Sequence, residues 1–360
     1  MTDWQQRAKY MVNRSITIDG RRIGPDAPPY VVAELSANHN GDIDRALAVM
    51  DAAKNAGADA IKLQTYTADT LTIDHNGPGF RIESGPWAGQ TLHELYKDAS
   101  MPWEWHETLF AKGREIGITV FSSPFDETAI DYLETFDVPA FKIASFEATD
   151  LPLVERVAAT GKPVIISTGM ASRDEIAETV AAARGAGCTE LLLLHCVSAY
   201  PAAAEDYNLR GIADMADVFD TAVGLSDHTL GPETAIAAVS LGATLVEKHL
   251  TLRRADGGPD SGFSAEPEEL ATLCRSVCTV WNALGTPDHG QATVESGNAI
   301  FRRSLYAVAD IAAGGALTRE NIRSIRPGFG LPPKEYPALL GRTARTAIAR
   351  GTPLSWDLVD

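Results

Sequence analysis

Short apolar, β-branched runs recur along the chain. Each gives way to an alanine-rich stretch whose apolar residues return at helical spacing. The runs cover residues 30–35, 60–64, 119–122, 140–143, 164–167, 190–195, 221–226 and 244–249. Helical spacing follows over 43–56, 104–116, 127–136, 152–160, 173–184, 232–241 and 267–284. Two connections break the rhythm: 65–102 reads as a long irregular segment, and the sixth run leads into a longer loop. Strands alternating with helices in this number are the pattern of an α/β fold of TIM type, a closed parallel (β/α)8 barrel. An open doubly wound sheet has fewer units and a glycine-rich first turn. Here the first run is followed by Ala37-Asn38-His39-Asn40-Gly41 instead. Gly57 and Gly185 stand just past the first and fifth helices, where glycine enters the left-handed region without a Cβ clash and caps the last turn.

Beyond residue 284 the pattern changes. Residues 285–300 are rich in Gly, Pro and polar residues and read as a linker. The remainder holds strand-like runs such as Ser304-Leu305-Tyr306-Ala307-Val308, punctuated by Gly314-Gly315 and Gly351-Thr352-Pro353. The expected plan is a barrel over 1–284, a linker over 285–300 and a small β-rich cap over 301–360, too small to hold a deep site of its own.

A length of 360 residues suits that plan, and 45% hydrophobic with 22% charged residues is the balance of a soluble globular enzyme. No apolar run approaches the roughly 18–20 residues of a membrane span. Residues 1–10 lack the apolar core of a signal peptide, so a cytoplasmic protein is expected. A net charge of −17 repels nucleic acid. An anionic substrate would therefore need a local cluster of positive groups. Cys188, Cys196, Cys274 and Cys278 form neither a CxxC pair nor a zinc spacing. Cys274 and Cys278 lie four apart on the last barrel helix and are expected to face the core as reduced thiols.

Barrels of this type carry their chemistry at the C-terminal ends of the strands. Every predicted strand here ends in polar groups. They are Glu34; Lys62 and Gln64; Ser122 and Ser123; Lys142, then Ser145 and Glu147; Ser167-Thr168-Gly169; His195, then Ser198 and Tyr200; Ser226, Asp227 and His228; and Glu247, Lys248 and His249, with Asp260 beyond. Side chains two apart on a strand share a face, so Lys62 and Gln64 point together. Lys62 and Lys142 form the cationic cluster that the acidic chain otherwise lacks, suited to a phosphate and a carboxylate. Ser123, Ser145, Ser167 and Ser226 can add hydroxyl donors. The Ser167-Thr168-Gly169 turn leads into a helix whose first N–H groups favour anions. The competing reading is that each lysine neutralises a carboxylate such as Glu34 or Glu147. His228 and His249 end adjacent strands, about 4.8 Å apart, and can reach one ion while leaving positions open, as a Lewis-acid site requires. Without a metal they would hydrogen-bond to Asp227 or Glu247. His195 and Cys196 read as core residues, Trp103 and Trp105 as packing, and Tyr200 as either pocket lining or loop packing.

Taken in order, several stretches resemble the sialic acid synthase family: Ala33-Glu34-Leu35-Ser36-Ala37-Asn38-His39, Lys62-Leu63-Gln64-Thr65-Tyr66, Phe121-Ser122-Ser123-Pro124-Phe125, Lys142-Ile143-Ala144-Ser145-Phe146-Glu147, Ser167-Thr168-Gly169-Met170, Gly224-Leu225-Ser226-Asp227-His228 and Glu247-Lys248-His249. Ile325-Arg326-Pro327-Gly328 resembles that family's antifreeze-like (SAF) cap domain, and the similarity spans residues 15–360. Ala144 and Ser198, with Leu92-His93-Glu94-Leu95-Tyr96 and Trp103-Glu104-Trp105-His106, resemble the branch of the family that makes pseudaminic acid. N-acetylneuraminate or legionaminic acid synthesis is the neighbouring alternative. A Schiff-base aldolase and a non-catalytic carbohydrate-binding protein are the remote ones.

The resemblance implies condensation of phosphoenolpyruvate with 2,4-diacetamido-2,4,6-trideoxy-L-altrose, releasing phosphate by C–O cleavage. It implies Lys62, Ser123, Lys142, Ser145, Ser167 and Ser226 around phosphoenolpyruvate, and Gln64, Tyr200 and Asp260 near the sugar. Ser198 and Glu247 belong with these substrate-binding groups. It places Glu147 near the reacting centre and Glu34 at the mouth. It puts a divalent metal on His228 and His249, manganese first, with magnesium or cobalt as alternatives. It also implies a homodimer in which Arg326 of the cap reaches the neighbouring barrel.

Overall fold

The computed structural model describes residues 14–285 and 293–360, and the chain divides into two compact units, Met1–Gly285 and Thr286–Asp360. Residues 1–10, read above as lacking a signal core, and residues 286–292 of the expected linker lie outside the described residues. Thr293–Phe301 is a run of 3-10 helix. No helix among the described residues is long and apolar enough to cross a membrane.

The first unit opens with a hairpin that the sequence reading passed over, β1 (Ile16–Ile18) and β2 (Arg21–Ile23), paired antiparallel. Its turn residues Asp19 and Gly20 both have positive φ, 50° and 75°. An Asp-Gly pair supplies that geometry readily, so the signal for this hairpin was present in the sequence. Eight parallel strands follow: β3 (Tyr30–Glu34), β4 (Ala60–Thr65), β5 (Thr119–Pro124), β6 (Phe141–Ile143), β7 (Val164–Ser167), β8 (Leu191–Cys196), β9 (Ala222–Asp227) and β10 (Leu245–His249). They pair in chain order, and β10 closes on β3.

Alternation along these strands sorts the side chains into two sets. Outward residues such as Val31, Leu63, Ile143, Ile166, Leu193 and Val246 pack under the helices in one continuous core. Inward residues Tyr30, Ala60, Phe121, Ile165, Leu192 and Leu245 fill the barrel at the N-terminal ends of the strands. Ile16, Ile18 and Ile23 of the hairpin join that inner cluster and close the barrel bottom. Further along the strands the same inward row turns polar, at Glu34, Lys62, Ser123, Lys142, Ser167, Ser226 and Glu247, and this change locates the site.

The connections differ from the sequence reading in three places. Segment 65–102 is ordered rather than irregular: it holds short helices Ala68–Leu71 and Leu92–Ala99, and an antiparallel bridge between Arg81 and Thr91. Thr91 and Glu94 form a capping box at the second helix, a T-x-x-E signature that the apolar pattern did not register. The long sixth connection contains the helix Gly211–Phe219. The fifth helix runs through Gly185, and the left-handed residue is Gly187, with φ 98°. Gly57 caps its helix as expected, with φ 92°. All four cysteines are free; Cys188 and Cys196 are buried, whereas Cys278 is exposed, because the inner stripe of its helix runs through Leu270, Leu273 and Val277 instead.

The second unit carries β11 (Ser304–Ala307) and β12 (Ile322–Ile325), paired antiparallel, with further single bridges such as Ile311 to Ile348. Leu305, Ile311, Leu317, Ile322 and Leu339 form its own core. Arg326 follows β12 and is exposed, with no hydrogen bond or ion pair among the described residues.

Glycine is required in the inner layer at position 224. A Cβ there would lie 2.4 Å from the Leu245 carbonyl oxygen and 2.6 Å from Leu194 Cδ2. Gly224→Ala should therefore overpack the barrel and cost about 1–3 kcal/mol. A urea unfolding midpoint equal to that of the wild type would contradict this packing.

Candidate active site

At the C-terminal ends of the strands the polar inward residues enclose a cavity of about 480 Å³. Lys62, Gln64, Lys142, Ser145, Glu147, Ser167, Ser198, Tyr200, Ser226, His228, Glu247, His249 and Asp260 all line it. Of the residues predicted for the site, three stand apart. Glu34 and Ser123 are fully buried beneath the cavity, and Arg326 belongs to the second unit.

The lysines are paired with carboxylates: Glu34, expected from sequence, and Glu247, which was not. Lys62 Nζ lies 2.7 Å from Glu247 Oε1 and 2.9 Å from Glu34 Oε2. Lys142 Nζ lies 3.1 Å from the same Glu247 oxygen, and Glu147 pairs with neither lysine. Gln64 Nε2 donates to Glu34 Oε1 at 3.0 Å, fixing the floor of the site. Burial would push the Glu247 carboxyl up, but the Lys142 and Lys62 ammonium groups outweigh it and hold it well below the usual range. Lys62 is drawn down, chiefly by burial and further by Lys142, while Glu247 opposes both. Each ammonium has three donors, so neither lysine is spent on these contacts. Ser123 Oγ and Ser167 Oγ are buried without a hydrogen-bonding partner among the described residues. Buried hydroxyls left in this state beside two ammonium groups match an oxyanion ligand.

The turn after β7 does not open a helix. The next helix starts at Arg173, and its capping box engages the N–H groups of Ser172 and Glu175. The turn instead serves packing. Gly169 has φ 49°, and a Cβ on it would lie 2.5 Å from Ser145 Cβ and 2.9 Å from Ser198 Oγ. Ser145 and Ser198 meet in that space with a 2.8 Å hydrogen bond.

His228 and His249 stand with ring centroids 5.4 Å apart. Neither bonds to Asp227 or Glu247. His228 Nδ1 donates to the Val197 carbonyl at 2.8 Å, and His249 Nδ1 meets Ser36 Oγ at 3.1 Å. These contacts fix both rings and leave Nε2 as the lone-pair nitrogen of His228. Burial drives His228 down to about 4 and His249 well below its ordinary value, so both imidazoles are neutral. Neutral rings oriented through Nδ1 fit a divalent metal. Among the described residues no group of three or more His, Cys, Asp or Glu is arranged to hold one, so the protein offers these two nitrogens. Behind them, the outward residues Asp227 and Lys248 are register partners whose buried side chains meet at 2.8 Å. Lys248 also donates to the Thr229 carbonyl at 2.5 Å, which ties down the loop that follows His228.

Glu147 is held by a turn, with its N–H bonded to the Ala144 carbonyl at 3.1 Å. Its Oε2 is buried with no hydrogen-bonding partner among the described residues, and burial pushes its carboxyl up to about 7 despite Lys142 nearby. Burial also raises the Asp260 carboxyl, whose Oδ2 accepts from the Ala37 N–H at 3.3 Å. Tyr200 lines the cavity beside His228, with centroids 4.6 Å apart. His195 instead bonds to the Tyr207 carbonyl, a scaffold role. Trp103 stacks on Tyr132 at 4.8 Å, and Trp105 meets His39 edge-on, so both pack the barrel wall. The cavity has an apolar side that sequence reasoning largely missed. Tyr66, Leu71, Ile82, Trp87, Tyr96 and Phe125 form it, with Ala144 and Phe146. Most come from the 65–102 excursion, whose placement no period in the sequence announces.

The NeuB family model matches residues 49–289, and the SAF domain model matches residues 302–360. A pseudaminic acid synthase of Helicobacter pylori is 41% identical over 335 residues, covering 92% of this chain and 98% of its own length. A pseudaminic acid synthase of Campylobacter jejuni subsp. jejuni serotype O:23/36 is 43% identical over 329 residues, covering 91% and 96%. The crystal structure of N-acetylneuraminic acid (sialic acid) synthetase from Leptospira borgpetersenii serovar Hardjo-bovis in complex with citrate matches with a TM-score of 0.71 and 32% identity. It covers 79% of this chain and 95% of that one.

The carboxyl of Glu147 has a measurable signature. Its value rises from 4.5 to about 7 on folding, so the unfolded chain releases this proton first. Its contribution to stability is full below pH 4.5 and is lost as pH rises through 7. Glu147→Gln keeps the shape but not the proton. Its stability relative to the wild type should climb between those two values and then level off. A difference independent of pH in urea unfolding would refute the shift.

Proposed function

The chain belongs to the NeuB family, the sialic acid synthase family whose motifs its strand ends carry, and from that premise we propose that it is a pseudaminic acid synthase. It is a transferase that uses phosphoenolpyruvate, and its second substrate is 2,4-diacetamido-2,4,6-trideoxy-L-altrose. One observation carries the reading: two buried lysines, the unpartnered Ser167 hydroxyl and two neutral imidazoles line one cavity that also carries an apolar surface. An oxyanion binds at one side, and an acetamido sugar with a deoxygenated C6 packs on the other. Ala144 and Phe146 add to that carbon surface.

Lys62 and Lys142 hold the phosphate and carboxylate of phosphoenolpyruvate, with Ser123, Ser145, Ser167 and Ser226 as donors. Gln64, Ser198, Tyr200 and Asp260 orient the open-chain sugar, and Glu34 with Glu247 holds the lysines in place. His228 and His249 would hold a divalent metal, for which manganese is our choice, with magnesium or cobalt as alternatives. Such an ion supplies Lewis-acid activation of the sugar aldehyde when bound. C3 of phosphoenolpyruvate forms the new bond to C1 of the sugar with its double-bond electrons, which leaves C2 electron-poor, while the aldehyde C=O pair moves onto oxygen, which takes up a proton to become a hydroxyl. The Glu147 carboxylate faces that centre and stabilises it. Water adds at C2, and Glu147, near 7, can accept the proton that this water loses. The C2–O bond to phosphate then breaks, leaving the keto acid and inorganic phosphate. Water must reach only C2, which favours a covered site.

We further infer a homodimer that works in the cytoplasm. Four free thiols fit a reducing compartment. No arginine lines the barrel cavity among the described residues, whereas Arg326 is exposed on the cap unit. A guanidinium delivered by the neighbour's cap would complete the site.

Phosphoenolpyruvate and a panel of amino sugars test the substrate, read as phosphate release and product mass. The diacetamido-trideoxy sugar should give the highest kcat/KM, and chelation should stop turnover until manganese is returned. An equal or higher kcat/KM for N-acetylmannosamine would move the assignment to the neuraminate branch. The shared site has its own test. Arg326→Ala and Lys142→Ala chains should each be nearly inactive as homodimers. Mixed, they should regain part of the activity, since one pairing joins an intact barrel to an intact cap. No recovery in a verified heterodimer would leave the cap without a role in trans.

A further inference from the structure

The excursion between β4 and the helix His106–Ile116 folds back on itself over residues 80–92. Leu92 N–H donates to the Phe80 carbonyl at 2.8 Å, and Ile82 and Gln90 are tied by a 2.9 Å bond. The flap made in this way is pinned across the barrel mouth by one side chain. Trp87 Nε1 donates to the Pro259 carbonyl at 2.9 Å, next to Asp260.

Trp87 also stands between two spaces. It lines the 480 Å³ cavity that holds the chemistry and an outer cavity of about 820 Å³, whose walls include Asn40, Gln90 and Asp98. Tyr200, Leu95 and Phe263 are shared by both cavities as well. The rings form a ladder away from the imidazoles: His228 to Tyr200 at 4.6 Å, then Tyr200 to Trp87 at 5.7 Å. An open hexose chain has five C–C bonds of about 1.5 Å and spans roughly 6–7 Å. A sugar whose C1 lies at the imidazoles and whose chain follows the ladder therefore brings its C4–C6 end to Tyr200 and Trp87.

We propose that Trp87 is a specificity-determining residue, the wall against which the C4 acetamido and C6 methyl groups of the sugar pack. This rests on the barrel-mouth reading of the site given above. An indole offers a large, rigid apolar face to such methyl groups. A C4 hydroxyl and a C6 hydroxyl gain less from that face, so the contact favours the diacetamido-trideoxy sugar. Ile82, on the same flap, extends the surface.

The test is kinetic, on the metal-loaded full-length protein. Trp87→Ala should raise KM for the diacetamido sugar roughly 10- to 100-fold, the range for lost apolar contacts in a pocket. KM for phosphoenolpyruvate should stay within about twofold, because the oxyanion groups lie at the other side. Preference over N-acetylmannosamine should fall by about tenfold. Trp87→Phe should keep most of the preference, since the ring face remains while the bond to Pro259 is lost. Parallel losses for both sugars, or an equal rise in KM for phosphoenolpyruvate, would mean that the flap only supports the fold and would overturn the proposal. An unchanged sugar KM would overturn it too. The substrate assignment fails separately, if the wild-type protein prefers N-acetylmannosamine. In that case Trp87→Ala must still raise that sugar's KM, or this inference falls with it.

Discussion

Glu247 sits between two ammonium groups at the centre of the barrel mouth, 2.7 Å from Lys62 and 3.1 Å from Lys142. Burial lowers Lys62 and would raise Glu247, and the contact between them opposes both effects, with Lys142 adding to the hold on Glu247. Glu34 completes a buried quartet through Lys62. Removing one member of such a network costs about 3–5 kcal/mol, because an uncompensated charge remains behind. The arrangement fixes two lysine side chains at the barrel mouth. The chain carries a net charge of −17, so attraction of any anionic ligand would have to be local.

Around the quartet, function is divided by strand parity. On β9 and β10 the inward residues Ser226, Glu247 and His249 face the cavity, while the outward partners Asp227 and Lys248 bond behind it. The outward pair holds the two strands in register, so the imidazoles at their ends keep their spacing. Similar backing supports the other groups: Ser36 and the Val197 carbonyl orient the two rings, and Gly169 leaves room for the contact of Ser145 with Ser198.

The sugar side is built differently. Its apolar wall comes from a connection rather than from strand ends, and connections can change without disturbing the barrel. The strand ends thus carry the lysines and imidazoles, while the apolar surface comes mainly from the connection. Ala144 and Phe146 line the cavity from the turn after β6, while Ile82 and Trp87 line it from the flap.

Much of this was legible in the chain itself. The alternation of apolar runs with helical spacing determined the barrel, because period 2 and period 3.6 are local properties of the backbone. The same alternation determined that Lys62, Lys142, Glu247, His228 and His249 would share the mouth. The Asp19-Gly20 turn and the Thr91–Glu94 capping box were also readable, as local signals outside the hydrophobic pattern. Only the tertiary structure decided which carboxylate each lysine would meet. Glu34 ends β3, Glu247 lies within β10 and Glu147 follows β6; closure of the barrel brings Glu34 and Glu247 to Lys62, and Glu247 to Lys142, while a turn carries Glu147 away. It likewise decided that Trp87, some 170 residues before Pro259, would close over the site: its indole bond has a sequence separation of 172, and no local period encodes a contact across that distance.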